Sequence, residues 1–200
     1  MRRVTVFESI SLDGYFTDAN NDISFAKEVE QDAEFDAFVA QNASGSDGVL
    51  LFGRITYEMM ASFWPTPAAA ELMPDVAKGM NSRPKIVFSR TLTQAAWQNT
   101  TLVNADAVQH VRKLKEETGP DLAVLGSGTI VSQLAQAGLI DEYQFVIVPV
   151  VLGSGRTVFE GVTKRFSPRL QSTRRFANGT IFCSYEGVRH AAADHPVHLV

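Results

Sequence analysis

The chain has 200 residues, of which 45% are hydrophobic, and a formal net charge of −4. The apolar content argues against disorder, and the acidic balance argues against nucleic acid or an anionic membrane surface as a partner. The single cysteine, Cys183, excludes an internal disulfide and a Cys-x-x-Cys metal site, and its alternating surroundings predict a buried thiol. Because no apolar stretch reaches the length of a signal peptide or a membrane span, we expect a cytoplasmic protein.

Strands and helices alternate along most of the chain. The pattern predicts strands at 4–10, 48–52, 84–89, 100–103, 122–125 and 142–151 and helices at 30–42, 53–63, 71–80, 105–118 and 129–137. Strands at 169–177 and 180–187 flank Asn178-Gly179, a strong hairpin signal. This order predicts an α/β fold with a mostly parallel central sheet and an antiparallel C-terminal hairpin. No linker divides the chain, so we predict one domain over 1–188 followed by a tail at 189–200.

Three of the predicted strands end in turns that can bind an anion. They are Gly53-Arg54-Ile55-Thr56, Ser89-Arg90 and Gly126-Ser127-Gly128-Thr129. Ligands of open α/β sheets bind beyond the carboxyl ends of the strands, where helix N-termini and arginine favour phosphate. Taken singly, each turn also fits an ordinary helix start, a surface Ser-Arg pair or glycine punctuation, and Val131 stands where a dinucleotide fingerprint has its third glycine. Together they suit an extended dinucleotide with an additional phosphate, which indicates NADPH rather than NADH.

Five stretches in this order carry a resemblance to a known family: SLDG, LLFGRITYE, IVFSR, AVLGSGTIVSQLAQAGLIDEY and VPVVLGSGRTVF. They resemble the dihydrofolate reductase-like superfamily and, within it, most closely the reductase domain of the bacterial bifunctional riboflavin-biosynthesis deaminase-reductase. The resemblance spans about residues 3–187 and implies a twisted sheet flanked by helices, with hydride transfer to a heterocycle or a sugar-derived imine. The zinc-ligating pattern of the deaminase half is missing, so we expect no metal. The substrate stays open between a ribosylamino-pyrimidine and a pterin-like compound.

The resemblance also implies which residues hold the cofactor. In that family the first two turns hold NADPH phosphates, and the glycine turn opens the helix that covers the pyrophosphate. Carried over to this sequence, the residues are Gly53, Arg54, Thr56, Ser89, Arg90, Gly126, Ser127, Gly128 and Thr129.

Two acidic residues are candidates for the catalytic group. Glu34 lies in the first predicted helix, where dihydrofolate reductases carry an acidic residue that hydrogen-bonds the pteridine. Asp13 lies on the loop that the resemblance places beside the nicotinamide. A solvated helix face for Glu34 and an Asx-turn for Asp13 stay open as alternatives. In the tail, His190, His195 and His198 fit no common metal-site spacing.

Two functions from different classes are consistent with these residues. One is an NADPH-dependent reductase of a small heterocycle, and the other is a non-catalytic nucleotide-binding or assembly module that keeps the fold. The strand at 142–151 is apolar on both faces, and few helices remain in the sequence to cover the second face. We therefore expect a homodimer that buries it, as family members of this kind form pairs.

Overall fold

The computed structural model describes residues 1–44 and 47–188. These residues form ten strands: β1 Val4–Ser11, β2 Tyr15–Asp18, β3 Val49–Gly53, β4 Lys85–Phe88, β5 Thr100–Val103, β6 Leu122–Leu125, β7 Glu142–Val148, β8 Gly155–Thr157, β9 Arg169–Arg175 and β10 Ile181–Glu186. Eight of them form one sheet in the order β5-β4-β3-β6-β1-β7-β10-β9. The first six in that order are parallel, whereas β10 pairs antiparallel with β7 and β9. The predicted α/β fold with an antiparallel C-terminal hairpin is therefore confirmed.

Helices connect the parallel strands. They are α1 Ala33–Ser44, α2 Arg54–Phe63, α3 Pro67–Leu72, α4 Pro74–Ser82, α5 Ala107–Glu116 and α6 Gly128–Gln136, with a 3-10 helix at Ser24–Lys27. Along β3, Leu51 packs in a cluster with α5 and α6, while Leu50 and Phe52 pack with α2 and α4. The central strands are thus buried on both faces, which explains why β3 is an unbroken apolar run.

Proline and short strands account for the differences from the predicted elements. The predicted helix at 71–80 is two helices, because Pro74 begins α4 at the position where its missing N–H needs no partner. The predicted strand at 142–151 ends at Val148, before Pro149. β2 and β8 form a separate two-stranded sheet that the sequence pattern did not predict, since they have four and three residues.

Both faces of β7 are covered within one chain. Tyr143 and Phe145 pack against Phe159, with ring centroids 5.6 and 6.1 Å apart. On the other face, Val146 lies in a cluster with Phe176 and side chains of α1. The reasoning that one face of this strand needs a second subunit is therefore wrong, because the segment after β8 and helix α1 bury the two faces. The homodimer itself stays a prediction.

Three other expectations concern single residues and segments. Cys183 is buried on β10, as predicted, and burial raises the pKa of its thiol. The predicted tail at 189–200, with its three histidines, lies outside the described residues. Within the described ranges, the helices are too short or too polar to cross a membrane.

Candidate active site

A cleft of about 830 Å³ includes the carboxyl ends of β3, β4 and β6 in its lining and reaches Gly48, Arg83 and Asp121 at the amino ends of these strands. All nine residues predicted to hold the cofactor line it: Gly53, Arg54, Thr56, Ser89, Arg90, Gly126, Ser127, Gly128 and Thr129. The sheet order explains this, because β4, β3 and β6 are consecutive neighbours about 4.8 Å apart. The fold therefore brings the three predicted turns together, and their contact with a cofactor stays a prediction.

Two of these turns are hydrogen-bonded to each other. The Gly53 N–H donates to Ser127 Oγ at 2.9 Å, and the Ser127 N–H donates to Thr56 Oγ1 at 3.0 Å. These hydroxyls thus hold the starts of α2 and α6 side by side. No side chain of the described residues caps the first residues of either helix, so backbone N–H groups at both starts are available to an anion.

Packing inside the protein explains two of the three glycines. Gly126 has φ +59°, and a Cβ there would lie 2.9 Å from Thr56 Cγ2. A Cβ on Gly128 would lie 2.5 Å from Cζ of the buried Phe16 ring. At Gly53 the nearest atom would be Ile130 Cγ1 at 3.5 Å, an ordinary contact. Gly53 lines the cleft, and packing inside the protein does not require a glycine there.

Arginine side chains make the cleft cationic. Arg54 pairs with Glu58 at 2.8 Å on the exposed surface of α2. Arg90 is exposed and has no ion-pair partner among the described residues, so its guanidinium is free to meet an anion. Ser89 accepts hydrogen bonds from the N–H groups of Thr91 and Leu92, which fixes the turn that carries Arg90.

Arg156 of β8 is a cleft residue that the sequence interpretation missed. Its Nη2 donates to Thr129 Oγ1 at 3.3 Å, its Nε pairs with Glu160 at 3.1 Å, and its guanidinium lies 5.8 Å from the centre of the Phe16 ring. It thus stands beside the turn that opens α6. The signal was present in the stretch VPVVLGSGRTVF, where this arginine follows Gly155.

Comparison with known proteins identifies the family. Residues 2–182 match the family model described as the RibD C-terminal domain. The chain belongs to this family. The RibD C-terminal domain family is reductase-like, in agreement with the resemblance carried by the sequence motifs.

Individual proteins resemble this chain in sequence or in structure at low sequence identity. The uncharacterized protein YyaP of Bacillus subtilis is 27% identical over 92% of this chain and 94% of its own. A putative riboflavin biosynthesis protein from Shewanella has a TM-score of 0.71 at 23% identity, covering 94% of this chain and 99% of that one. A Thermotoga maritima diaminohydroxyphosphoribosylaminopyrimidine deaminase/5-amino-6-(5-phosphoribosylamino)uracil reductase has a TM-score of 0.63 at 16% identity, covering 94% of this chain and 57% of that one. Dihydrofolate reductase from Enterococcus faecalis, complexed with NADP(H), has a TM-score of 0.57 at 12% identity over 92% and 96% of the two chains.

The two predicted catalytic carboxylates lie outside the cleft of this RibD C-terminal domain. Asp13 accepts hydrogen bonds from Ser11 Oγ and from the N–H groups of Leu152 and Gly153, at 2.6, 3.1 and 2.7 Å. The Ser11 hydroxyl, followed by those backbone groups, lowers the pKa of Asp13. Glu34 pairs with Arg174 at 2.5 Å on the protein surface. Both side chains thus hold neighbouring segments, and their catalytic role stays a prediction.

A different carboxylate, Glu8 of β1, does line the cleft. Its residue is 7% exposed, and Oε2 has no hydrogen-bond partner in the described part of the chain. Burial raises the pKa of Glu8 to about 8, although a hydrogen bond from the Ser9 backbone opposes the shift. The Glu8 carboxyl group is therefore mainly protonated at neutral pH.

The position of Glu8 follows from the strand register. Phe7 pairs with Leu125 of β6, so Glu8 lies level with Gly126, where β6 ends and the glycine turn begins. Val4 and Val6 share its face of the strand, and both pack in the cluster that contains α6. An acidic residue in phase with buried valines of a central strand is the signal that could have revealed it.

Proposed function

We propose that this protein is an NADPH-dependent reductase that transfers a hydride to a small heterocyclic substrate, either a ribosylamino-pyrimidine or a pterin-like compound. The observation that carries the proposal is the convergence of three anion-competent turns on one cleft, at the ends of three adjacent strands. Membership of a reductase-like family supports it, as do the names of the Thermotoga and Enterococcus proteins that share the fold.

The residues of the cleft fit a phosphorylated dinucleotide. The uncapped starts of α2 and α6 offer N–H groups to a pyrophosphate, and Arg156 adds a positive charge next to α6. Arg54 and Arg90 stand at the ends of neighbouring strands, where a further phosphate can receive charge-assisted hydrogen bonds. When bound, NADPH supplies the hydride from its nicotinamide ring, and the protein supplies position and electrostatics.

Cofactor titration tests the proposal. The fluorescence of NADPH and of NADH is followed on addition of the wild-type protein and of the Arg54→Ala and Arg90→Ala variants. We expect each variant to raise the Kd for NADPH about tenfold or more, since a charge-assisted bond contributes roughly 1.5–3 kcal/mol, and to affect NADH much less. Arg112→Ala is the matched control, because Arg112 is exposed on α5 and does not line the cleft.

The outcomes separate the two function classes. Equal loss for NADPH and NADH would contradict the assignment of Arg54 and Arg90 to the extra phosphate, and failure of the wild-type protein to bind NADPH would overturn the proposed function. Oxidation of NADPH is then measured with 5-amino-6-(5-phosphoribosylamino)uracil and with dihydrofolate. Tight NADPH binding without turnover of either compound would favour the non-catalytic module.

A further inference from the structure

Reduction of a C=N bond needs a proton as well as a hydride, and neither carboxylate predicted for that role lies in the cleft. Asp13 and Glu34 are bound to neighbouring segments, whereas Glu8 lines the cleft with an oxygen that has no partner in the described chain. A buried polar atom without a hydrogen bond is costly and rare in a folded protein. Asn42 Nδ2 and Arg83 Nη2 in the cleft lining are unpartnered in the same way among the described residues, and of these three groups Glu8 is the acid that can give a proton to a ligand.

We propose that the Glu8 carboxyl group is the proton donor of the reduction, delivering its Oε2 proton to the substrate nitrogen whose double-bonded carbon receives the hydride. This inference rests on the reductase function proposed above. In the step, a C–H bond forms at the carbon and the electron pair of the C=N bond moves to nitrogen. That nitrogen binds the proton released by Oε2, while the reduced nicotinamide is oxidised. Glu8 is left as a carboxylate and takes a new proton from water entering the cleft.

The surroundings of Glu8 suit this role. Its neighbours along the same face of β1 are valines, and the Phe16 ring closes the cleft beside Gly128. Charged side chains from the other elements also line the cleft: Arg54, Arg83, Arg90, Asp106, Asp121 and Arg156. Among the described residues none of these hydrogen-bonds to Glu8, and burial rather than a nearby charge raises its pKa to about 8. A general acid works best when its pKa lies near the working pH, which this environment provides.

The position of Glu8 also matches the proposed cofactor site. By the register of β1 and β6, the backbone of Glu8 lies level with Gly126, the first residue of the turn predicted to hold the pyrophosphate. Glu8 and this turn line the same cleft. The substrate class that follows is a heterocycle or imine that presents an acceptor nitrogen, because a protonated carboxyl group offers a donor at this atom.

Infrared spectroscopy tests the protonation state independently of turnover. The ligand-free and the NADPH-bound wild-type protein are titrated, and the carbonyl stretch of a protonated carboxylic acid is compared with the spectrum of Glu8→Gln. We expect a band in the wild-type protein that persists at pH 6, disappears with a midpoint near pH 8 and is missing from the variant. A carboxyl group already ionised at pH 6 would overturn the proposal.

Turnover of the two probe compounds tests the chemical role. Glu8→Gln keeps the shape and neutrality of the side chain but removes the acidic proton, so we expect kcat to fall by about 10²–10⁴-fold while the Kd for NADPH changes less than about twofold. The wild-type rate should fall above about pH 8, and the residual rate of the variant should lose this dependence. Glu116→Gln, at an exposed position of α5, removes a carboxylate outside the cleft and should leave the rate unchanged.

The two proposals fail in different ways. Wild-type activity in Glu8→Gln, with NADPH bound and oxidised, would overturn the role of Glu8 and leave the reductase function intact. Failure of the wild-type protein to bind NADPH, or to oxidise it with either probe, would overturn the reductase function and with it this inference.

Discussion

The protonation states of Asp13 and Glu8 differ because different groups surround their carboxyl groups. Asp13 is bound by a hydroxyl and two backbone N–H groups, so its charged form is stabilised. Glu8 is buried, and one of its oxygens has no partner in the described part of the chain, so its neutral form is favoured. Both residues lie within six positions of one another on the first strand and its turn. Sequence proximity therefore says little about their protonation.

The raised pKa of Glu8 predicts how the stability of the ligand-free protein depends on pH. The native state holds this proton up to about pH 8 and the unfolded chain only up to about 4.5, so between these values the native state binds more protons. The free energy of unfolding should therefore fall as the pH rises through this window, by on the order of 4 kcal/mol in total. Urea denaturation of the wild-type protein and of Glu8→Gln from pH 4.5 to 8 measures the difference. A constant difference between them across the window would contradict the prediction.

Alanine substitutions at Gly53 and Gly128 should affect different properties, NADPH affinity at the first position and stability at the second. At Gly53 the new methyl group makes only ordinary contacts, so the free energy of unfolding should change by less than about 0.5 kcal/mol. NADPH binding should weaken, because Gly53 lines the cleft at the start of α2 and the methyl group adds bulk to the predicted phosphate site. At Gly128 the methyl group meets the buried Phe16 ring, so stability should fall by about 1–3 kcal/mol without any ligand. Thermal unfolding and NADPH titration of both variants provide the comparison. Unchanged NADPH affinity in Gly53→Ala would show that the cofactor does not approach this backbone.

At the scale of elements, the site depends on two helices that begin at neighbouring strands. α2 and α6 start where β3 and β6 end, and those strands are paired in the sheet. The hydrogen bonds of Thr56 and Ser127 link the two starts, so the hydroxyl groups shape the anion site even before a ligand binds. The starts of α2 and α6 are thus held in fixed relative positions as one preorganised unit before an anion binds.

Removal of the Ser127 hydroxyl should loosen this unit. Ser127→Ala leaves the Gly53 N–H without its partner, so we expect a loss of about 1–3 kcal/mol in the free energy of unfolding and a weaker affinity for NADPH. Ser132→Ala on α6 is the matched control, since its hydroxyl donates to the Thr129 carbonyl within the same helix. Denaturation and cofactor titration of both variants check the prediction. Equal effects of the two substitutions would argue against a special role for the link between the turns.

At the scale of the whole molecule, the sheet is covered on both faces over most of its width but exposed at its antiparallel edge. Every residue of β9 is exposed, including Leu170 at 52%, and Ile181 of the adjoining β10 is 42% exposed. Ile181 lies opposite Ile147 of β7, so an apolar patch extends from the edge toward the core. We expect the predicted homodimer to form through this exposed edge.

Light scattering tests the homodimer. At micromolar concentration we expect about twice the chain mass of 21.9 kDa. Leu170→Asp places a charge on the exposed edge and should shift the protein to the monomer, whereas Glu116→Gln should not. A wild-type monomer would contradict the prediction, and a Leu170→Asp dimer would place the interface elsewhere.

Local sequence determined the order of elements and the three turns. Apolar runs such as β3 are typical of strands buried on both faces, and in this chain Gly-Arg-x-Thr and Gly-x-Gly each follow a strand at the start of a helix. These features depend on neighbours a few positions away, so the pattern of residues carries them. The nine predicted cofactor residues line one cleft because the sheet order also makes β4, β3 and β6 neighbours, and adjacent parallel strands end at the same edge.

Only the tertiary structure decided which side chains face the cleft and which are already bound. Glu8 and Arg156 enter the cleft through the register of β1 and the pairing of β2 with β8, while Asp13 and Glu34 are bound by groups 139 and 140 positions away. The covering of β7 by the segment around Phe159 and by α1 likewise joins distant parts of the chain. Local patterns mark Glu8 and Arg156 as unusual, but burial and hydrogen bonding depend on which distant segments the fold brings together, and those contacts are not written in the neighbouring residues.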